Sequence, residues 1–276
     1  MFMKETNLEI RSDTFVECDE DTKTTLDVYV ENSLNLKIEN KPNSESLLIV
    51  NIYGEGILDL NITVAEDSLL TYLWVNYSDD KLEIKETFDL KQNSDLFASF
   101  IEFSNGKHKK VTTFALNEQG SNVHARSANI IENEMDWQMY AHHFDHHTTA
   151  QLDNYAVGLE NSVFNMKVVG HIFHGHKKSE THQVTRVLNL SDHLQSSVAP
   201  ELLIDENDVA ASHACTMGQP NPEEIYYLQS RGLSKGEALK LLILGYLLIA
   251  VEDMEDDVKE HITDLIHNKI DQVWIA

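Results

Sequence analysis

The chain has 276 residues, 42% of them apolar and 24% charged, the composition of a folded protein with a sizeable core and not of a disordered one. A formal net charge of −25 sets it against phosphate backbones and anionic bilayers, so neither nucleic acid nor membrane is an expected partner. Two distant cysteines give no disulfide framework, the N-terminus lacks a signal-like apolar stretch, and the longest apolar run (241–251) is too short to span a bilayer; a cytoplasmic protein is expected.

In chain order, 26–210 reads as short strands. "LLIVNI" (47–52), "LDLNITV" (58–64) and "LTYLWVN" (70–76) are rich in β-branched and large apolar residues and are separated by polar turns. "SDLFASFIEF", "HKKVTTFALN" and "SVFNMKVVGHIF" continue the series. Leu58, Leu60 and Ile62 alternate with polar neighbours, as in a strand with one buried face. The spacing suits a sandwich, a barrel or a β-solenoid; the absence of a tight repeat weighs against a regular solenoid. The grammar changes at Asn221, a capping residue followed by Pro222 at a first helical position and by the acid Glu224. This helix is expected to stop at Arg231-Gly232. Ser234 and Glu237 form a capping box for a second helix, and Val258, Ile262, Leu265 and Ile266 mark a third. The expected division is a β-rich body over 1–220 and a helical unit over 221–276.

Candidate chemistry concentrates in histidines, of which there are fourteen. "YAHHFDHHTT" holds His142, His143, Asp145, His146 and His147; imidazole and carboxylate together suit zinc or iron. If extended, the segment sends His142 and His146 to one face and His143, Asp145 and His147 to the other. His143, Asp145 and His146 nearly complete a metallo-hydrolase pattern, but Ala141 stands where its first histidine belongs. His171, His174, His176 and His182 form a second, sparser group. No nucleophile elbow, phosphate loop or C-x-x-C is present. At the seam between body and helices, "AASHACTMG" places His213 and Cys215 on one face of an extended segment. An imidazole and a thiolate there suit a borderline metal or an iron–sulfur cluster, with further ligands from elsewhere. The bland alternative is a buried cysteine beside a packing histidine.

The run "PELLIDENDVAASHACTMGQPNPEEIYYLQSRGLSKGEALKLLILGYL" (200–247) resembles the C-terminal signature of the SufB/SufD family of the SUF iron–sulfur cluster assembly machinery. "HTTAQLDNYAV" and "GHKKSETHQVTRVLNLSD" match the same family in order. "SHACTMG" is similar to the SufD branch ("SHGATVG", "GHAASVG") and unlike the "EHEA" of SufB. The resemblance implies a mainly β chain: a right-handed parallel β-helix followed by a small helical domain, in a short form without the family's N-terminal helical domain. It implies a non-catalytic scaffold with no tightly bound cofactor, carrying a transient iron–sulfur cluster. The implied partners are a SufC-type ATPase and either a SufB-like chain or a second copy in a homodimer. His213 corresponds to the family histidine proposed at the nascent-cluster site, and Cys215 falls where the family usually has alanine. Tyr226, Tyr227, Arg231, Gly232, Leu241 and Tyr246 are the expected ATPase-docking residues, while a position commonly basic in the family is Leu244 here. Two other readings are a metal enzyme built on His143, Asp145, His146 and His147, and a β-helical carbohydrate-binding or carbohydrate-active protein. The second lacks an aromatic ladder, the tryptophans being only Trp74, Trp137 and Trp274.

Overall fold

The computed structural model describes residues 4–275 apart from Ser104, Asp192 and Asp253, with side chains to Gln272; Trp274 lies outside the described side chains. Two parallel sheets wind into a β-solenoid of about seven turns, followed by three helices.

β1 (Lys4–Ile10), β2 (Thr14–Cys18), β3 (Thr22–Asn40) and β4 (Glu45–Val64) open the coil. β3 and β4 run through a corner unbroken, so each serves both sheets. One sheet continues with β5 (Leu69–Asn76), β7 (Asp95–Glu102), β9 (Asn122–Ile131), β11 (Thr149–Gly158), β13 (Glu180–Asn189) and β15 (Ala210–Gly218). The other continues with β6 (Leu82–Leu90), β8 (Lys107–Leu116), β10 (Glu134–His143), β12 (Val163–Ile172) and β14 (Gln195–Ile204). Strands thus start well before residue 26, and "LLIVNI" with "LDLNITV" is one bent strand. Gly54 (φ 90°) and Gly56 (φ 126°) turn that corner; a Cβ on either would lie 2.2 Å from a carbonyl oxygen of β3.

The repeat is present after all, in the corners and not in the strands. Asp21, Asn43, Asp67, Asn93, Gly120, His147 and Lys178 all take left-handed backbone conformations. Each is followed by a buried hydroxyl residue: Thr22, Ser44, Ser68, Ser94, Ser121, Thr148 or Ser179. Ser68, Ser94 and Ser121 donate to the carbonyl three residues back at 2.6–2.8 Å, satisfying a backbone group at the bend.

Inside the coil, alternate residues stack in columns. Leu26, Val50, Leu60, Phe88, Phe100, Phe114, Trp137 and Phe164 are all buried in one apolar cluster. Stacked turns cover each other, so the interior is continuous and only the two ends lie open.

The helices are α1 (Pro222–Ser230), α2 (Lys235–Leu247), a 3₁₀ turn (Leu248–Val251) and α3 (Asp256–Ile275). Asn221 caps α1 by accepting from Glu223 N–H at 3.0 Å, so the predicted partnership with Glu224 gives way to a single cap bond. The Ser234–Glu237 box is reciprocal, at 3.2 and 2.7 Å. Gly232, just past the Arg231 cap, stops α1 at φ 102°. Sequence reading missed where α2 and α3 go. They double back along the outer face of the β5–β13 sheet, where Leu47, Leu73, Val75, Ile101 and Ile130 form a second apolar cluster with Ile243, Leu247, Val258, Ile262 and Ile266. Ser99 Oγ donates to the Ala250 carbonyl at 2.6 Å, and Lys23–Asp257 (2.7 Å) ties the start of α3 down.

Candidate functional site

The last strand carries the strongest candidates. Among the described residues β15 pairs only with β13, in parallel, and every residue along it is exposed. Its register sets Ala211, His213, Cys215 and Met217 against Thr181, Gln183, Thr185 and Val187, the inward column of β13. His213 and Cys215 therefore sit on the line that would face the lumen if another turn followed, at the open end of the coil. Opposite them the inward phase of β14 supplies Val198, Pro200 and Leu202, and Ser196 Oγ reaches Met217 Sδ at 3.8 Å.

The floor beneath this pair is polar. Thr181, Gln183 and Thr185 are at most 1% exposed, and Thr181 Oγ1, Gln183 Oε1 and Thr185 Oγ1 find no hydrogen-bond partner among the described residues. Gln183 Nε2 is engaged by the Glu201 carbonyl at 3.2 Å, and Gly170 leaves the space the Gln183 and Thr181 side chains occupy. Buried polar groups of this kind cost stability unless something later bonds to them. No sequence motif marks them, but polar residues in the inward phase of β13 are the signal.

The two cysteines differ sharply. Cys18 is buried at the far end of the solenoid, and burial pushes its thiol up to about 11. Cys215 is exposed, its thiol raised by partial burial, so in the isolated chain it holds its proton and would release it on binding a metal. Among the described residues no group of three or more His, Cys, Asp and Glu side chains is arranged to hold a metal ion. His213 and Cys215 are donor types that suit a borderline metal, two of the four ligands that a tetrahedral site takes.

The His142–His147 segment is not one extended strand. β10 ends at His143, and the rest forms a corner. His142 faces outward, packed against Tyr140 (5.6 Å), Phe144 (5.8 Å) and His171 (5.9 Å between ring centres). His143 faces the lumen, fully buried, with Nδ1 2.8 Å from Thr148 Oγ1; burial, then His142, His176 and His171, push it down to about 3. Asp145 bonds His146 through the backbone and the ring. His147 is a corner residue (φ 57°) whose N–H donates to Lys177 O. These residues point in different directions. In the second group, His171 meets Asp205 (3.2 Å) and His182 meets Ser212 Oγ (2.7 Å) on the outer face.

Next to the open end, α1 buries none of its residues. Tyr226 is 74% and Tyr227 56% exposed, and Arg231 donates to Tyr227 Oη at 3.1 Å while lying over its ring. Gly232 and Leu241 are exposed beside them. Tyr246 instead turns to the sheet, edge-on to Tyr155 at 5.5 Å. Leu244 is buried in the helix–sheet cluster, a position where a basic side chain would be stranded. A cleft of about 620 Å³ separates α1 and α2 from the solenoid at Asn189 and Leu190.

Comparison with known proteins bears on the whole arrangement. Residues 54–246 match the family model described as SUF system FeS cluster assembly, SufBD core domain. The chain is 40% identical over 111 residues to the iron-sulfur cluster assembly protein SufD of Bacillus subtilis, covering 40% of this chain and 25% of that one. It is 30% identical over 95 residues to a SufBD family protein of Mycobacterium bovis (34% and 24% covered) and 31% identical over 93 residues to one of Archaeoglobus fulgidus (34% and 25% covered). The matched stretch is about a quarter of the length of these relatives.

Proposed function

Because the chain belongs to the SufBD family of the SUF iron–sulfur cluster assembly system, on its SufD-like side, we propose that it is a non-catalytic scaffold subunit on which a cluster is held transiently as cargo. His213 and Cys215 are the ligands it offers. The observation that carries this reading is their placement on the inner line of an exposed edge strand, over three buried polar groups that lack partners among the described residues. A second chain, another copy or a SufB-like protein, would cover that edge and complete the ligand set. α1 and the start of α2 would dock a SufC-type ATPase through Tyr226, Tyr227, Arg231 and Leu241, since an exposed aromatic–arginine pair is a common anchor of a protein interface. Hydrolysis in that partner would act on the 219–222 connection between the helices and the edge, shifting the population of edge-open states.

The test has two arms. Co-elution with a SufC-type ATPase is expected for the unaltered chain and is expected to weaken at least about tenfold in Tyr227→Ala/Arg231→Ala. Anaerobic loading with iron and sulfide is expected to give a cluster absorbance that His213→Ala removes. An ATPase that never co-elutes removes the docking role, and loading indifferent to His213 removes the ligand role.

A further inference from the structure

Midway along the solenoid the lumen lining changes character. Glu86 on β6, Glu102 on β7 and His108 and Lys110 on β8 all take inward positions, and their side chains are at most 3% exposed. Lys110 Nζ lies 3.8 Å from the ring centre of Trp74, 4.5 Å from Phe100 and 4.7 Å from Trp137. It is 3.3 Å from Glu102 Oε1 and 3.8 Å from Glu86 Oε2. One ammonium thus faces two carboxylates in a dry interior, where an uncompensated charge is costly.

Donor and acceptor roles place the protons. Ser78 N–H donates to Asn76 Oδ1 (2.9 Å), which orients that amide so that Nδ2 faces Glu102 Oε2 (2.7 Å) and His108 Nδ1 (3.1 Å). The ring nitrogen therefore accepts, Nε2–H donates to the Asp80 carbonyl (3.1 Å), and the imidazole adds no charge. Glu102 accepts from Asn76 Nδ2, Trp74 Nε1 (2.8 Å) and Lys110 Nζ, all of them donors without a lone pair to offer. Glu86 is different. Its Oε1 lies 2.6 Å from the Tyr72 hydroxyl and its Oε2 3.1 Å from the Thr112 hydroxyl. Thr112 also accepts from Trp137 Nε1 (3.1 Å), which leaves its hydroxyl one further lone pair and its own hydrogen. Both partners of Glu86 are hydroxyls that can accept as well as donate, so Glu86, unlike Glu102, has somewhere for a carboxylic proton to go.

We propose that folding traps a proton on Glu86: it is the neutral carboxylic acid of the lumen, its proton shared with one of its two hydroxyl partners, while Glu102 and Lys110 form the ion pair. The trunk is then a proton-coupled fold. Burial pushes Glu86 above the usual carboxylate range, against the opposing pull of Lys110, Tyr72 and Thr112. Tyr72, raised well above an ordinary phenol by its own burial, keeps its hydrogen. The ionisable groups facing Glu86 are Tyr72 from β5, Glu102 from β7 and Lys110 from β8. Glu86 ionises at its ordinary value in the unfolded chain and only at higher pH in the folded one. Its contribution is therefore complete at acid pH and declines as the pH rises toward the folded value.

Carbon-detected NMR of the full chain, labelled at its glutamate carboxyl carbons, reads this directly. At pH 7 one carboxyl resonance is expected at the protonated position, and it is expected to vanish in Glu86→Gln. In urea, Glu86→Gln is expected to unfold at or above the wild-type midpoint, because an amide replaces a neutral acid. Glu102→Gln is expected to raise the unfolding constant at least about tenfold, because Lys110 loses its nearer carboxylate and Trp74 Nε1 and Asn76 Nδ2 lose an ionised acceptor. A wild-type spectrum without a protonated glutamate at pH 7 overturns the proposal, as does a Glu86→Gln loss equal to that of Glu102→Gln. If a variant does not fold, the wild-type resonance decides.

Discussion

Individual side chains show how far residue type alone misleads about role. His143 and His147 share a histidine-rich segment with apparent metal-site spacing, yet one lines the lumen and the other bends the chain at a corner. Phase tells them apart. His143 continues the inward series Met135, Trp137, Met139 and Ala141, and that alternation was legible; the corner after it was not, because histidine's enrichment at left-handed positions is too weak to pick out one of four neighbouring histidines. Glu86 and Lys110 were readable in the same way, as charges in the apolar phase of "LEIKETFDL" and "HKKVTTFAL". His143 also sets a pH dependence opposite in sign to that of Glu86. Its folded value lies near 3 against an ordinary 6.5, burial being the main cause, so the unfolded chain binds the proton first. The stability it contributes is present above pH 6.5 and is lost as the pH falls toward 3, at up to about 1.4 kcal/mol per pH unit. His143→Asn keeps a donor toward Thr148 and removes the titration. Urea midpoints measured from pH 7 to pH 4 should fall more gently in that variant; parallel curves would mean that another group governs the acid limb.

Elements were legible where periodicity and end signals agreed, as in α1, the Ser234 box and the strands β5, β7, β8 and β12. The solenoid itself was not, because its repeat resides in corner pairs such as Asn43-Ser44, Asp67-Ser68 and Asn93-Ser94, and not in strand composition. The sandwich, barrel and solenoid readings share the same alternation, and only the family resemblance separated them. The path of α2 and α3 escaped for a related reason. Strands such as "LTYLWVN", buried on both faces, announce a cover without saying what supplies it, and Leu73 and Val75 turn out to face α3 across a sheet whose other side lines the lumen. α3 holds on mainly through Val258, Ile262, Ile266 and Ile270. Ile262 is fully buried, and Ile262→Ala should cost about 2–4 kcal/mol through lost transfer energy and a cavity the flat sheet cannot close. Urea unfolding reads that loss; a change below about 0.5 kcal/mol would mean that the helix contributes little to the fold.

For the molecule as a whole, the open end of the coil is the unresolved surface, since β14 and β15 expose backbone and apolar side chains together, including Leu203, Ile204 and Met217. Such an edge is an invitation to pair, and a folded protein usually blunts it with charge or a cover. Here the cover would be the second chain of the proposed scaffold. If that chain is another copy, two bodies of net charge −25 must approach each other, and their repulsion opposes the apolar and backbone gains. Salt shortens the screening length from about 14 Å at 0.05 M to about 4 Å at 0.5 M. Self-pairing through this edge should therefore strengthen as salt is added, whereas pairing driven by surface ion pairs would weaken. Light scattering across a concentration series at both salt levels makes the distinction. Leu203→Lys/Met217→Lys provides the control, because it lowers the net negative charge, which by itself would favour association, while placing two desolvation-averse ammonium groups on the edge. A dimer that tightens with salt in the unaltered chain and disappears in the lysine variant assigns the interface to β14 and β15. A dimer that survives both lysines lies elsewhere on the molecule, and a chain that stays monomeric even where salt screens the repulsion leaves the edge to a different protein.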